Sequence, residues 1–223
     1  CVAYPEVVDF FPKDKTIHTG NPLRREIFNE NQRIDLPKNK PVVYITGGNL
    51  GAHGINVKVE EILEKLLVRW TIIHQCGNSK KYQDFERLNK KREQFPSSLR
   101  KHYLLFSFLD SERIGGIFKH ADVVVTRAGA NIASELIALT KAALFIPLPW
   151  AGESEQEKNA AYLTDLGCAR QILQKDLTGE LLLKEIDELF KEKAMVIQNL
   201  KSLRKNMILD ADKRVADVLE SVS

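Results

Sequence analysis

Short apolar runs alternate with helical patterns along most of the chain. The apolar runs lie at residues 42–46, 70–75, 103–107, 122–126, 143–147 and 169–173. They lack strict apolar–polar alternation, which is typical of strands buried on both faces. Helical spacing occurs at 55–68, 80–93, 111–119, 131–139, 153–166 and 177–193, and in a terminal stretch at 196–203 and 211–222. This order predicts an α/β fold with a doubly wound, Rossmann-like, mostly parallel six-stranded sheet.

The first forty residues have a different pattern. Prolines and a glycine punctuate them, and proline removes a backbone donor and ends helices. These residues are Pro5, Pro12, Gly20, Pro22 and Pro37. The change of pattern predicts a connector with a first turn at residues 1–40 and one domain at residues 41–223.

Two of the predicted strands end in turns of small residues. Gly47, Gly48 and Gly51 follow the strand at 42–46, and Gly129 and Ala130 follow the strand at 122–126. A helical pattern comes after each turn, so free backbone N–H groups and a positive helix end meet there, and such places bind anions. Two junctions at one sheet edge favour a pyrophosphate or nucleotide-sugar pocket. Taken alone, the first turn favours a tight connection without a ligand; it matches neither a Walker loop nor G-x-G-x-x-G.

Polar residues near these turns have two interpretations each. Glu135 falls in the first helical turns after the second junction, where it either complements the helix dipole or accepts hydrogen bonds from a ribose diol. Arg24 follows an Asn-Pro turn and is either a diphosphate clamp or a surface residue of a linker. A polar stretch after Pro149 is either part of the site or a solvated helix start. It contains Glu153, Glu155, Gln156 and Asn159.

Composition narrows the classes of protein. The 223 residues are 43% hydrophobic and 28% charged, which is ordinary for a globular chain with a sizeable core. The net charge of +3 gives no reason to expect a nucleic-acid partner. No apolar run reaches the roughly 18 residues of a membrane span, and no signal peptide is recognisable. Because the chain begins with Cys1 rather than Met, we expect a piece of a longer protein.

The cysteines and histidines have no metal-binding pattern. Cys76 and Cys168 follow apolar runs and are expected to be reduced core residues. The five histidines have neither metal-ligand spacing nor a Ser/His/Asp arrangement, so we predict no metal site and identify no general base. His53 follows the first glycine turn and is placed to approach a phosphate. His74, at a strand end, is expected to be packed or hydrogen-bonded.

In order and spacing, six segments resemble glycosyltransferase family 28, the MurG family. They are residues 20–24 (GNPLR), 47–52 (GGNLGA) with Ile55 and Asn56, 74–77 (HQCG), 108–110 (FLD), 121–135 continuing through 145–147, and Gln156 with Asn159 and Ala160. The resemblance covers essentially the whole chain. It corresponds only to the C-terminal, donor-binding half of the family's two-domain GT-B architecture.

This resemblance implies an inverting hexosyltransferase. Family members transfer N-acetylglucosamine from UDP-N-acetylglucosamine to a lipid-pyrophosphate-linked muramyl-peptide in peptidoglycan synthesis. The resemblance implies no metal or cofactor, because the UDP-sugar is a substrate and N–H groups with helix dipoles stabilise the departing UDP. The catalytic residues, the acceptor site and the membrane-contacting patch are expected in an N-terminal domain outside this chain. The full-length protein would be cytoplasmic and peripheral on the inner face of the cell membrane.

The resemblance also implies a set of donor-binding residues. Arg24 matches an arginine on the donor phosphate, Leu109 a backbone contact to uracil, and Gln156 a glutamine on the sugar. Gly48 and Asn49 fall in the donor-binding loop, with Asn49 in the place of a serine. A helix start matches the one that holds the diphosphate and, at its last residue here, the ribose hydroxyls. It consists of Gly129, Ala130, Asn131, Ile132, Ala133, Ser134 and Glu135.

Departures from the family pattern leave the sugar open. Asn49 and Leu50 replace a usual Ser-Gln pair. Glu155 replaces one of two usual glutamines, and Ala128 replaces a serine. One alternative is therefore the donor half of another UDP-sugar transferase that acts on a glycolipid or other acceptor. Another is a non-catalytic subunit that docks a separate membrane partner. A nicotinamide-dependent dehydrogenase is disfavoured, because G-x-G-x-x-G is absent. The terminal helical stretch either covers this sheet or crosses to the other domain.

Overall fold

Six strands form one parallel sheet. They are β1 (Val42–Thr46), β2 (Thr71–Gln75), β3 (Tyr103–Phe106), β4 (Val123–Thr126), β5 (Ala142–Phe145) and β6 (Ala169–Gln171). Their order across the sheet is β3-β2-β1-β4-β5-β6, and every neighbouring pair is parallel. This computed structural model describes residues 1–29, 34–150 and 152–221. The chain direction across the sheet reverses between β1 and β4, which is the switch point of a doubly wound sheet. The predicted fold class is confirmed.

Nine helices flank and follow these strands in the part of the chain that the structure describes. They are α1 (His53–Glu61), α2 (Leu63–Arg69), α3 (Asp84–Glu93), α4 (Ser97–Arg100), α5 (Ser111–His120), α6 (Ala130–Ala138), α7 (Glu155–Asp165), α8 (Gly179–Arg204) and α9 (Ala211–Ser221). Short 3-10 turns occur at Pro5–Phe10, Lys13–Lys15, Arg25–Phe28, Gly152–Ser154 and Gln174–Asp176. None of these helices is long and apolar enough to span a bilayer.

Each predicted strand is present within one or two residues of its predicted bounds. The agreement has a simple cause: β1, β2, β4 and β5 are buried along their whole length, and such strands are continuous apolar runs. The shortest, β6, ends at Gln171 although apolar residues continue to Leu173. Beyond it, the N–H of Ile172 donates to the carbonyl oxygen of Phe145 at 2.9 Å.

Several predicted helix bounds are wrong. The single helix predicted at 55–68 is two helices, which meet at Ile62, where φ −114° and ψ 13° leave the helical region. The helix predicted from residue 80 begins only at Asp84, because Gln83 has a left-handed φ of 48°. The patterns at 177–193 and 196–203 belong to one helix, α8, which no proline interrupts. The last helix is described to Ser221, so its predicted end at 222 lies outside the described residues.

The described part of the first forty residues, 1–29 and 34–40, packs onto the domain and adds no strand to the sheet. Val2 and His18 form an isolated parallel bridge. Further on, the 3-10 turn Arg25–Phe28 lies against α5 and buries Ile27. A Cβ at Gly115 of α5 would overlap the carbonyl oxygens of Glu26 and Asn29, so this contact requires glycine. The domain boundary at residue 41 stays a prediction.

Two of the cysteines are buried thiols. Cys76 and Cys168 are free and buried, and Cys1 is free and exposed. Burial raises the pKa of Cys76 to about 12 and also raises that of Cys168. Both are therefore protonated and unreactive at neutral pH, as expected for core thiols.

Candidate functional site

A cavity of about 780 Å³ opens at the carboxyl ends of the central strands. Its walls come from the last residues of β1, β2 and β4, from the segments that follow β1, β3, β4 and β5, and from Pro22 and Arg24, so they lie on both sides of the switch point between β1 and β4. Ligands of doubly wound proteins bind at this place. The volume lies within the roughly 300–1,000 Å³ that is usual for small-molecule sites.

Most of the predicted site residues meet in this cavity. The ten that line it are Arg24, Gly48, Asn49, Leu109, Gly129, Ala130, Asn131, Ile132, Glu135 and Gln156. Ala133 and Ser134 do not line it, and their role in donor binding stays a prediction. Each helical residue turns by about 100°, so positions 133 and 134 face away while Glu135 returns to the cavity side. Ser134 instead accepts a hydrogen bond from Asn21 Nδ2 at 3.2 Å.

The first glycine turn is shaped by its packing against β2. Gly48 and Gly51 both have φ of +79°, a left-handed conformation that favours glycine. A Cβ on Gly51 would overlap the carbonyl oxygen of Cys76, just after β2. At Gly48, by contrast, a Cβ would meet no atom within 4 Å, because this position faces the open cavity. Packing therefore requires glycine at position 51, whereas the backbone at Gly48 is open and accessible to a ligand.

The second junction presents an uncapped helix end to the cavity. Gly129 is the N-cap of α6, and no side chain caps it. The first helical hydrogen bond runs from Ala133 N–H to Gly129 C=O at 3.0 Å. The N–H groups of the three residues between them have no partner within the helix, and they carry the positive end of its dipole. This end is suited to bind an anion.

Two side chains of α7 hold the second junction in place. Gln156 Oε1 accepts hydrogen bonds from the N–H groups of Ala128 at 3.3 Å and Leu148 at 3.0 Å. Asn159 Nδ2 donates to the carbonyl oxygen of Ala128 at 3.0 Å. Because two backbone donors point at it, the oxygen of Gln156 is unavailable to a sugar, and only its NH₂ group remains for one. Both Gln156 and Glu155 line the cavity, which agrees with one of the two interpretations of this polar stretch.

A bidentate ion pair forms one wall. Arg24 donates from Nε to Glu135 Oε1 at 2.6 Å and from Nη2 to Oε2 at 2.7 Å. The Arg24 side chain is 49% exposed, whereas that of Glu135 is 3% exposed. The hydrogen bonds to Glu135 raise the pKa of Arg24 above its ordinary value. The two residues that were expected to hold different parts of a nucleotide thus contact each other.

Arg127 is a second cation of the cavity that the prediction missed. Its Nη1 donates to the carbonyl oxygen of Ile146 at 2.8 Å and to Gln174 Oε1 at 2.7 Å. Burial lowers the pKa of its guanidinium to about 10. No carboxylate within the described residues pairs with it. The sequence offered one signal for Arg127: it stands between a buried strand and the small-residue turn. A charged residue at this position lies at the edge of the sheet.

The floor of the cavity is polar, and the sequence patterns did not predict the residues that form it. Tyr44, Thr46 and Gln75 line it from β1 and β2. Burial raises the pKa of Tyr44 well above its ordinary value, so its hydroxyl remains protonated. The available signal was that Thr46 and Gln75 are polar residues at the final positions of strands that are buried along their whole length.

The histidines lie outside the cavity. His53 does not approach it, contrary to the prediction; its Nδ1 lies 2.8 Å from Asp84 Oδ1. His74 is buried and hydrogen-bonded, as predicted: Nδ1 lies 2.8 Å from the Tyr103 hydroxyl and Nε2 lies 3.0 Å from Asn56 Oδ1. Burial lowers the pKa of His74 to about 3. It is therefore a neutral, structural histidine rather than an acid or base.

The fold and the cavity together define a doubly wound α/β protein whose cavity lies at the switch point, where proteins of this fold bind their ligands. The chain belongs to glycosyltransferase family 28: the family model described as the glycosyltransferase family 28 C-terminal domain matches residues 42–217. The predicted resemblance is confirmed.

The relatives carry a common name. The chain is 32% identical over 228 residues to a protein of Lachnoclostridium phytofermentans named UDP-N-acetylglucosamine--N-acetylmuramyl-(pentapeptide) pyrophosphoryl-undecaprenol N-acetylglucosamine transferase, with 100% of this chain and 60% of the relative covered. A Clostridium novyi protein of the same name is 32% identical over 217 residues, with 94% and 57% covered. The chain thus spans about three fifths of the length of these relatives.

Solved structures agree with this assignment. The MurG structure of Acinetobacter baumannii is 26% identical with a TM-score of 0.73, and 98% of this chain and 59% of that one are covered. The glycosyltransferase of kitacinnamycin shares the fold with a TM-score of 0.70 at 19% identity, with 96% and 50% covered. The fold is therefore that of one half of a two-domain GT-B glycosyltransferase.

Proposed function

We propose that this chain is the donor-binding domain of an inverting glycosyltransferase that uses UDP-N-acetylglucosamine. The full-length enzyme would transfer N-acetylglucosamine to a lipid-pyrophosphate-linked muramyl-peptide in peptidoglycan synthesis. One observation carries the proposal: a single cavity combines the uncapped end of α6, the Arg127 cation and the buried Glu135 carboxylate. These groups suit a diphosphate and a ribose diol. The names of the relatives support this donor.

In the proposed reaction, the cavity acts on the leaving group. As the bond between the anomeric carbon and the UDP oxygen breaks, negative charge grows on the diphosphate. The N–H groups at the start of α6 and the Arg127 guanidinium stabilise that charge in a partly buried place. Glu135, held by Arg24, accepts hydrogen bonds from the ribose hydroxyls and fixes the position of the nucleotide.

The remaining groups belong to the acceptor side. Inversion requires a base that takes the proton of the acceptor hydroxyl as it attacks. We assign this base, the binding of the lipid-linked acceptor and the contact with the cytoplasmic membrane face to the part of the full-length protein outside this chain. The greater length of the relatives supports this division. On this proposal, the chain binds the donor but does not complete the transfer.

The test is a calorimetric titration of residues 1–223 with UDP-N-acetylglucosamine and UDP. We expect both to bind, and Glu135→Ala to weaken binding about 10- to 100-fold, because hydrogen bonds to a charged group are worth about 1.5–3 kcal/mol. Glu188→Ala is the control, since this α8 carboxylate pairs with Lys191 outside the cavity. Absence of uridine nucleotide binding by the folded chain would contradict the proposal. Robust turnover by the chain alone would contradict only the assignment of the base.

A second candidate is the donor domain of a transferase for another UDP-sugar. Leu50 favours it: this side chain is 78% exposed, lines the cavity and replaces a polar residue of the family pattern. Adding UDP-galactose and UDP-glucose to the titration separates the two candidates. Preference for N-acetylglucosamine supports the first candidate, and preference for another hexose supports the second.

A further inference from the structure

The side-chain amide of Gln75 has only one orientation that satisfies its neighbours. Its Oε1 lies 2.8 Å from the Tyr44 hydroxyl and 3.0 Å from Thr46 Oγ1. Gln75 is 4% exposed, and both neighbours are buried as well. With the oxygen facing them, both hydroxyls donate to it. If the NH₂ group faced them instead, two buried hydroxyl hydrogens would lack an acceptor, which is costly.

A further contact fixes the role of Thr46. Its Oγ1 accepts a hydrogen bond from the N–H of Gly48 at 3.0 Å, so its own hydrogen is left to donate to Gln75. The threonine thereby joins the end of β2 to the backbone of the first glycine turn. Both hydrogen bonds of this series have a defined direction: Gly48 donates to Thr46, and Thr46 donates to Gln75.

The orientation of Gln75 sets that of Asn49. Because the oxygen of Gln75 faces the floor, its Nε2 faces Asn49 and donates to Asn49 Oδ1 at 3.3 Å. The Asn49 oxygen thus accepts a hydrogen bond from the protein, whereas its NH₂ group has no partner among the described residues and is the part that is presented to a ligand in the cavity. An NH₂ group only donates, so its partner must be an acceptor such as a phosphate oxygen or the oxygen of a sugar hydroxyl.

We propose that Gln75 is a positioning residue that fixes Asn49 with its NH₂ group toward an acceptor oxygen of the diphosphate-sugar part of the donor. This inference rests on the proposed function for the identity of the ligand. It explains how asparagine can replace the serine of the family pattern. A hydroxyl rotates to suit its partner, whereas an amide needs a neighbouring group that fixes which of its ends, oxygen or NH₂, faces the ligand.

The test is a double-mutant cycle. Calorimetry measures the affinities for UDP and UDP-N-acetylglucosamine, and NMR measures the affinity for uridine, which lacks both the diphosphate and the transferred sugar. We expect Gln75→Met and Asn49→Ala each to weaken UDP binding about 5- to 10-fold and to leave uridine binding within twofold. The double variant should be no weaker than Asn49→Ala alone, because Gln75 acts through Asn49. A loss that appears with UDP-N-acetylglucosamine but not with UDP would place the acceptor oxygen on the sugar.

Losses that multiply in the double variant, or an equal loss of uridine binding, would overturn the inference and leave Gln75 as part of the floor only. Gln75→Glu covers the case in which the methionine variant does not fold. It keeps the acceptor for Tyr44 and Thr46 but turns the Asn49 oxygen toward the ligand, so unchanged affinity for both UDP and UDP-N-acetylglucosamine would also overturn the inference.

A ligand-free measurement separates this inference from the proposed function. In the ¹⁵N-labelled chain, we expect nuclear Overhauser contacts between the side-chain NH₂ groups of Gln75 and Asn49, and a shift of the Asn49 signal in Gln75→Glu. If UDP fails to bind while these contacts are present, the proposed function fails and the positioning stands. If UDP binds and the contacts are absent, the positioning fails.

Discussion

Two arginines enter the cavity, but only one has its charge offset by a carboxylate. Arg24 forms two hydrogen bonds with Glu135, so the pair is close to neutral as a unit. Arg127 is held by the neutral oxygens of Ile146 and Gln174. Moving a cation partly out of water without a counter-charge is unfavourable, and burial accordingly lowers its pKa. An anionic ligand would relieve this cost, so Arg127, rather than Arg24, is the cation left for a diphosphate.

We therefore expect Arg127→Met to weaken UDP binding by tenfold or more and to leave uridine binding nearly unchanged. The reason is that, on the proposed function, the lost charge would face the phosphates rather than the base or the ribose. Calorimetry with UDP and NMR titration with uridine measure the two affinities. Lys213→Met removes one positive charge from an exposed position on α9 and is the matched control. An equal loss for both ligands would show that Arg127 only holds the loops together.

At the scale of elements, a helix and a turn hold the wall of the cavity. The 3-10 turn Arg25–Phe28 follows Arg24 directly and packs on α5 through Gly115. Glycine inside a helix is intrinsically unfavourable by about 1 kcal/mol relative to alanine. The contact with the turn therefore explains why this position is not alanine, and it links the stability of α5 to the position of Arg24.

Gly115→Ala should consequently destabilise the chain by about 1–3 kcal/mol, as overpacking does, although helix propensity alone predicts the opposite sign. UDP affinity should fall with it, because the displaced turn carries Arg24. Thermal unfolding and calorimetry measure both effects. Gly152→Ala is the control, since a Cβ there would meet nothing within 4 Å. A higher unfolding midpoint for Gly115→Ala would contradict the packing argument.

At the scale of the whole molecule, His74 makes the free energy of unfolding depend on pH. Its folded pKa of about 3 lies below the unfolded value of 6.5. Between these values the unfolded chain binds the proton and the folded chain does not. Stability from this residue is therefore fully present above pH 6.5 and is lost as the pH falls toward 3, by roughly 1.4 kcal/mol per pH unit.

We expect the difference in unfolding free energy between the wild type and His74→Gln to shrink as the pH is lowered from 7 to 4. Urea titrations at several pH values measure it. The comparison with the variant is needed because burial also lowers the pKa of His102, which contributes with the same sign. A difference that is independent of pH would contradict the assignment of His74 as a neutral, buried residue.

The sequence by itself determined the sheet and the two small-residue turns that follow β1 and β4. Strands buried on both faces are apolar runs, and tight βα turns need small residues, so short stretches of sequence predict both features. The ordered motifs also carried the family membership and ten of the residues that line the cavity. Local patterns did not locate the break at Ile62 or the left-handed Gln83, because neither position carries a glycine or proline that would mark it.

Only the tertiary structure decided which polar groups contact each other. Arg24 and Glu135 are 111 residues apart, and Asn49 and Gln75 are 26 apart, yet each pair is within hydrogen-bond distance. Nothing in the local pattern specifies such a partner. For Asn49 and Gln75, the partner follows from the order of strands in the sheet, which brings the ends of β1 and β2 to one edge. For Arg24, it follows from the packing of the turn Arg25–Phe28 on α5. The sequence specifies the chemistry of each side chain. The packed fold determines which group that side chain contacts, and therefore its charge balance and its orientation.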